Sequence, residues 1–238
     1  MPKYLLSVLM PAYNEASTIF QALEAVARVR LPDEGQIEIL VIDDHSTDDT
    51  AGEVRRFGQV HQEVNLRYFK QDSNQGKGAA LHVGIKEAQG DYTLIQDADL
   101  EYDPSEYELL LRPILENKAD VVYGSRFVGG NPHRVLFFMH TIGNKLLTFL
   151  SNLLTNINLT DLETCYKVFR TGILKKIKLT EKRFGFEPEV TAKICKIPGL
   201  RIYEVGISYY GRTYAEGKKI NWKDGLRAIW CIFRYNVF

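Results

Sequence analysis

The chain has 238 residues, 45% apolar and 25% charged, an ordinary balance for a globular protein with one domain and a sizeable core. Lys+Arg and Asp+Glu both number 30, so bulk charge points to no polyanion; nucleic acid is not an expected partner, and any charge-based function must rest on local clustering. Cys165, Cys195 and Cys231 have no metal-ligand spacing or disulfide framework, and read as buried thiols of a reducing cytoplasm.

The first half alternates strand and helix signals. Leu5–Met10 reads as a buried strand stopped by Pro11; it is too short for a signal-peptide core. Ile19, Leu23, Val26 and Ala27 give a helical period over 17–29, with Ser17 as N-cap. Ile37–Ile42 is a β-branched run ending in Asp43-Asp44, and Ser46 or Thr47 is placed to cap a helix reaching Phe57. Leu66–Phe69 reads as a strand, Gly78–Ala88 as a helix closed by Gly90, and Tyr92–Ile95 as a strand ending at Gln96-Asp97. Asp103 or Ser105 opens a further helix, and Ala119–Tyr123 is the next strand. This alternation predicts an α/β fold with a mostly parallel sheet flanked by helices, whose ligands bind beyond the carboxyl ends of the strands.

The second half differs. No acidic residue occurs from Val121 to Thr160, while Arg126, His133, Arg134, His140 and Lys145 lie beside apolar groups such as Val135–Phe138 and Leu146-Leu147. The stretch 218–238 interleaves lysines and arginines with Trp222, Trp230, Phe233, Tyr235 and Phe238. A basic, partly apolar face of this kind suits an anionic membrane surface, although such residues also pack into cores. No uninterrupted apolar run reaches membrane-spanning length, so the expectation is a soluble or peripheral protein.

The chemistry-bearing groups sit at the strand ends. In Asp97-Ala98-Asp99, two carboxylates one residue apart can both reach a hard divalent cation, Mg²⁺ or Mn²⁺, with Glu101 adding an oxygen. Alone, the same pattern also fits a solvated turn. Asp43-Asp44 places a carboxylate where a ribose or base edge could be held, and Tyr13 and Glu15 follow the first strand. Gln75-Gly76-Lys77-Gly78 precedes a helix; its glycines would let backbone amides approach a ligand and Lys77 adds charge. It is neither a P-loop nor G-x-G-x-x-G, so a nicotinamide enzyme lacks its fingerprint.

Taken in order, Pro11-Ala12-Tyr13-Asn14-Glu15, Val41–Asp48, Asn74–Gly78 and Gln96–Asp99 resemble family 2 glycosyltransferases of the GT-A fold. Gly124-Ser125-Arg126, Asp161–Lys167, Gly185–Glu189, Tyr210-Gly211-Arg212 and Gly217-Lys218 resemble the subgroup of dolichol-phosphate mannose synthase and polyprenyl-phosphate glycosyltransferases. The resemblance implies a catalytic domain over 1–222, with a nucleotide-sugar half at 1–126 and an acceptor half at 127–222, followed by an amphipathic basic and aromatic helix at 223–238. It implies inverting transfer of a hexose from a nucleoside-diphosphate sugar, of the GDP-mannose or UDP-glucose type, to a polyprenyl or dolichyl phosphate. Pro11, Tyr13, Glu15, Val41 and Asp43 would line the nucleoside pocket; Lys77, Asp97, Ala98, Arg212 and Lys218 would bind nucleotide, sugar or phosphate. Asp97, Asp99 and Glu101 would hold the metal, although Gln often stands at the Glu101 position in mannose synthases. Asp99, Arg126 and Glu187 would be catalytic, with Arg126 and Arg134 on the acceptor phosphate. A lipid phosphate is already an anion and needs no general base, whereas a glycan hydroxyl does. The implied setting is the inner face of the membrane, bound peripherally. A glycan acceptor with the same chemistry, and a non-catalytic nucleotide-sugar-binding protein, are the rival readings.

Overall fold

The computed structural model describes residues 3–129, 134–135, 137–213 and 222–237. The elements run β1 (Leu5–Ala12), α1 (Ile19–Ala27), β2 (Gln36–Asp43), α2 (Thr50–Val60), β3 (Asn65–Lys70), α3 (Lys77–Glu87), β4 (Tyr92–Ile95), α4 (Tyr107–Leu115), β5 (Val121–Ser125), α5 (Phe138–Thr155), β6 (Lys167–Arg170), the single turn α6 (Thr171–Leu174), α7 (Phe186–Cys195), β7 (Ile202–Gly206) and α8 (Trp222–Val237). They build one seven-stranded sheet in the order β3-β2-β1-β4-β6-β5-β7. The expected mostly parallel sheet is present, except that β6 lies antiparallel between β4 and β5. One apolar core runs beneath it, from Leu6, Leu9 and Leu40 to Phe169, Phe186 and Ile207.

Three local expectations need correction. Pro11 does not stop the first strand: β1 runs through it, in register with Ile42 of β2. Leu9 accepts from Gln96 N on the β4 side, and Pro11, two residues on, faces the same way past the end of β4. Its missing N–H therefore leaves no ladder bond unmade. Thr18, not Ser17, stands at the N-cap of α1. The second helix begins later than expected, after Asp49, because Ser46 is used elsewhere: its hydroxyl accepts from Asn14 N and its own N–H donates to Asp43.

Glu38 ties the start of the sheet together. Fully buried on β2, it accepts from Ser7 Oγ at 2.5 Å, Gln89 N at 2.6 Å and Gly90 N at 3.1 Å. Its carboxylate thus satisfies the backbone of the turn entering β4. Glu38→Ala should strand these donors and cost about 2–4 kcal/mol of stability, the scale of two or more unsatisfied buried groups. Urea unfolding with an unchanged m-value is the measurement that checks it.

Candidate active site

The carboxyl ends of β1, β2 and β4 open into a cavity of about 840 Å³. Pro11, Tyr13 and Glu15 lie on its first wall, Asp44 follows β2, and Asp97, Ala98, Asp99 and Glu101 follow β4. The opposite wall comes from the second half of the chain: Arg126 after β5, Glu163 and Cys165 before β6, Glu187 in the first turn of α7, and Arg212. Arg134 also lines it, its Nη1 donating to Gly211 O at 3.1 Å. Most of the expected site residues therefore face one space. Lys218 lies outside the described residues.

Val41 and Asp43 are not on the lining. Val41 is buried in the middle of the sheet, and Asp43 accepts from Ser46 N at 2.7 Å and Tyr68 OH at 2.6 Å. The next residue, Asp44, faces the cavity, as strand alternation requires. Asp44 also corrects the reading of the glycine segment. It accepts from Gln75 N and Gly76 N, each at 2.7 Å, and Ala79 N donates to Lys182 O. Those amides are thus consumed within the protein. The glycines are needed for packing: a Cβ on Gly78 would collide with the Glu181 carbonyl, and Gly76 takes φ +103°.

Charges in the cavity come in compensated groups. Lys77 Nζ lies 2.8 Å from Asp97 and 3.5 Å from Glu187, two acids on opposite walls. Burial opposes the Asp97 charge, but Lys77 overrides it and holds that carboxyl below the usual range. Arg212 places Nη2 2.5 Å from Asp99 and Nη1 3.3 Å from Glu15, while its backbone N–H donates to Glu101 at 2.7 Å. Glu101 also accepts from Tyr209 OH at 2.8 Å, so both its oxygens are engaged. Burial, then repulsion from Asp97 and Glu101, pushes Asp99 up to about 7 despite Arg212.

Arg126 is gripped by Asp161, Nε to Oδ2 at 2.6 Å and Nη2 to Oδ1 at 2.7 Å, with Asn144 Nδ2 on the same carboxylate. This fork fixes a guanidinium on the cavity wall rather than leaving a mobile cation. Glu187 and Glu189 are both buried, not exposed helix-start carboxylates. Glu189 accepts from Thr180 N and Glu181 N and so shapes the loop before α7. Burial pushes the Cys165 thiol well above its ordinary range, in keeping with a core role although it borders the cavity.

Two features were not singled out from the sequence. Glu163 lines the cavity; burial and then Glu187 push its carboxyl up to about 8. Asp161 sits inside the quoted Asp161–Lys167 motif, yet its pairing to Arg126 has no local sequence signal, since the two are 35 residues apart.

As a metal site, Asp97 and Asp99 offer hard oxygen donors in a pocket where carboxylates repel one another, which fits Mg²⁺ or Mn²⁺. No group of three His, Cys, Asp or Glu among the described residues is arranged to hold an ion unaided. The fit is to an ion that takes few protein ligands and completes its shell with phosphate oxygens and water.

Residues 7–178 match the model of Glycosyl transferase family 2. The chain is 27% identical over 214 residues to the dodecaprenyl-phosphate galacturonate synthase of Rhizobium johnstonii, covering 90% of this chain and 61% of that protein. It is 29% identical over 206 residues to the glycosyltransferase AglJ of Haloferax volcanii, covering 86% of this chain and 63% of that one. The chain thus spans about three fifths of the length of these relatives. A structure of glucosyl-3-phosphoglycerate synthase from Mycobacterium tuberculosis, with Mn²⁺ and UDP-glucose, matches with a TM-score of 0.75 at 18% identity, covering 98% of this chain and 79% of that one. The shared architecture is the GT-A fold.

The Arg126–Asp161 fork supplies a test of this geometry. Asp161→Ala should leave a buried guanidinium unpaired and cost about 3–5 kcal/mol. Thermal and urea unfolding should both show the loss, and a change below ~1 kcal/mol would mean the fork does not hold the wall.

Proposed function

Because the chain belongs to glycosyl transferase family 2, we infer that it is an inverting hexosyltransferase moving sugar from a nucleoside diphosphate, of the GDP-mannose or UDP-glucose type, to a polyprenyl or dolichyl phosphate. The observation that carries this reading is the make-up of the cavity. Carboxylates and arginines occupy its strand-end side, whereas Phe137, Phe138, Leu147 and Ala228 line it toward α5 and α8. A phosphate head with an apolar tail matches that division. The name of the Rhizobium relative supports the same acceptor class.

In this reading the nucleoside lies over Pro11, Tyr13, Glu15 and Asp44, and the sugar lies between Asp97, Lys77 and Glu187. Arg212 and Lys218 take donor phosphate, and Arg126 and Arg134 take the acceptor phosphate. An acceptor phosphate oxygen attacks the anomeric carbon from the face opposite the diphosphate; the new C–O bond forms as the bond to the diphosphate breaks, and the configuration inverts. The acceptor arrives ionised, so catalysis is positioning and charge neutralisation. Glu187, held beside Lys77, would face the positive charge developing on the sugar ring. Asp97 and Asp99 would hold Mg²⁺ or Mn²⁺, which when bound neutralises the leaving diphosphate. Residues 1–126 would form the donor half and 127–222 the acceptor half, with 223–238 as an appended amphipathic helix.

The outer faces of α5 and α8 support a peripheral membrane setting. Phe138, Met139, Phe149 and Leu153 on α5, and Trp222, Leu226 and Trp230 on α8, are exposed. No helix among the described residues is long and apolar enough to cross a membrane. These faces would rest on the inner leaflet from the cytoplasmic side, anionic headgroups meeting the lysines and arginines.

Two measurements test this. EDTA should abolish turnover and Mn²⁺ restore it, and Asp99→Asn should lower kcat/KM by about 3–4 kcal/mol of transition-state stabilisation, a few hundredfold. Full activity in EDTA sinks the metal assignment. Arg134→Ala should slow transfer to a short polyprenyl phosphate about tenfold or more while sparing slow donor hydrolysis, and anionic liposomes should release the protein as salt rises from ~0.05 to ~0.5 M. Robust transfer to a soluble sugar, with no lipid product and no sedimentation, moves the acceptor to a glycan hydroxyl.

A further inference from the structure

Helix α5 is amphipathic in the reverse of the usual sense. Phe138, Met139, Ile142, Phe149 and Leu153 are exposed along it, whereas the polar residues Asn144, Thr148 and Asn152 bond inward to residues 159–162. Two of these three hold backbone. Asn152 donates to Leu159 O at 2.7 Å and accepts from Leu159 N at 3.1 Å, and Thr148 Oγ1 accepts from Leu162 N at 3.1 Å. Asn144 differs: its amide meets a side chain, Asp161, and it lines the cavity as Arg126 does. The bonds run in one direction. Thr148 accepts the Leu162 N–H and donates its own proton to Asn144 Oδ1 at 3.2 Å, and Asn144 Nδ2 donates to Asp161 Oδ1 at 3.2 Å. This chain fixes which way the amide points, since a flipped amide would set its oxygen against the carboxylate. Both oxygens of Asp161 are then occupied. Oδ2 takes Arg126 N at 3.1 Å and Nε at 2.6 Å, and Oδ1 takes Arg126 Nη2 at 2.7 Å together with Asn144.

We propose that Asn144 is a positioning residue for the acceptor: it orients the Asp161 carboxylate, and through it the Arg126 guanidinium that meets the acceptor phosphate. This rests on the acceptor reading above. A guanidinium forked onto a carboxylate lies in the plane of that carboxylate, so whatever sets the plane of Asp161 also aims Arg126. Among the described residues, Asn144 gives Asp161 the one side-chain donor that does not belong to Arg126 itself. The residue type suits the task. A lysine there would compete with Arg126 for Asp161, and a carboxylate would repel it; a neutral amide orients the fork without changing its charge. Holding the 159–162 backbone needs no help from Asn144, because Thr148 and Asn152 already do so. The fork is thereby anchored to α5, a long helix, rather than to its own loop alone.

The test is a double-mutant cycle on the full chain with Mn²⁺, UDP-glucose or GDP-mannose as donor and a short polyprenyl phosphate as acceptor. Asn144→Ala should keep its melting temperature within about 4 °C and its calorimetric affinity for UDP and GDP, yet lower kcat/KM for the polyprenyl phosphate about tenfold or more. Asn144→Asp, of the same size but facing Asp161 with a like charge, should be at least as damaging. Arg126→Lys, which cannot fork onto Asp161, should lower transfer further, and adding Asn144→Ala to it should change little, because the group through which Asn144 acts is gone. Losses that multiply in the double variant overturn the proposal, as does normal transfer by Asn144→Ala. A fall in nucleotide affinity that matches the fall in transfer, or the failure of both Asn144 variants to fold, makes Asn144 a structural residue and equally overturns it. The acceptor reading fails on a different result: wild type that transfers to a soluble sugar and to no polyprenyl phosphate removes that reading, and the proposal with it.

Discussion

Arg212 meets Asp99 and Glu15 through its guanidinium and Glu101 through its backbone N–H, and by that contact the segment after β7 closes over the ends of β1 and β4. A parallel sheet makes such a closure necessary. Its strands all deliver their following loops to one end, and here those loops carry Glu15, Asp44, Asp97, Asp99 and Glu101. Gathered in a partly dry cleft, such acids repel one another, and burial with repulsion from Asp97 and Glu101 pushes the Asp99 carboxyl up. The cations that relieve them come from other parts of the chain, so electrostatic compensation and tertiary closure are one event. Breaking a member of such a set leaves a buried charge behind, which is why these pairs fix geometry more than they add stability.

The same logic separates the roles of the acids. Asp44 and Glu189 spend their charge on backbone N–H groups and shape loops. Asp161 spends its charge on one guanidinium. Glu163 and Glu187, like Glu38 in the sheet, each keep one buried oxygen without a hydrogen-bond partner among the described residues.

Much of the strand-end side of the cavity was legible in the sequence. Short β-branched runs ending in polar clusters located β2 and β4 to within a residue, because a buried parallel strand needs a continuous apolar run and its loop must be polar. Finer assignments failed where a neighbour in space decided the matter. Asp43 and Asp44 are adjacent in sequence, but alternation sends one to Tyr68 and the other to the cavity. Gly76 and Gly78 resemble a phosphate-binding turn, yet they are small because residues 181–183 pack against them. β6 is four residues long and begins with a lysine that is wholly buried, so neither its length nor its pattern announced a strand. Glu163 carried no signal beyond its motif, because its burial beside Glu187 is set by the tertiary fold.

The C-terminal helix α8 is more than an outer covering. Arg227 forks onto Glu181, with Nη2 2.9 Å from Oε1, and Tyr235 OH donates to the same carboxylate while meeting Thr180 Oγ1. The next residue, Lys182, offers the carbonyl that receives Ala79 N, two residues past Lys77. A tether therefore runs from α8 through one acidic side chain to the lysine between the two walls of the cleft. Tags, fusions or cuts that pull α8 away would slacken that tether at its origin, so a shortened protein could keep every residue of the cleft and still present Lys77 from a loosened turn.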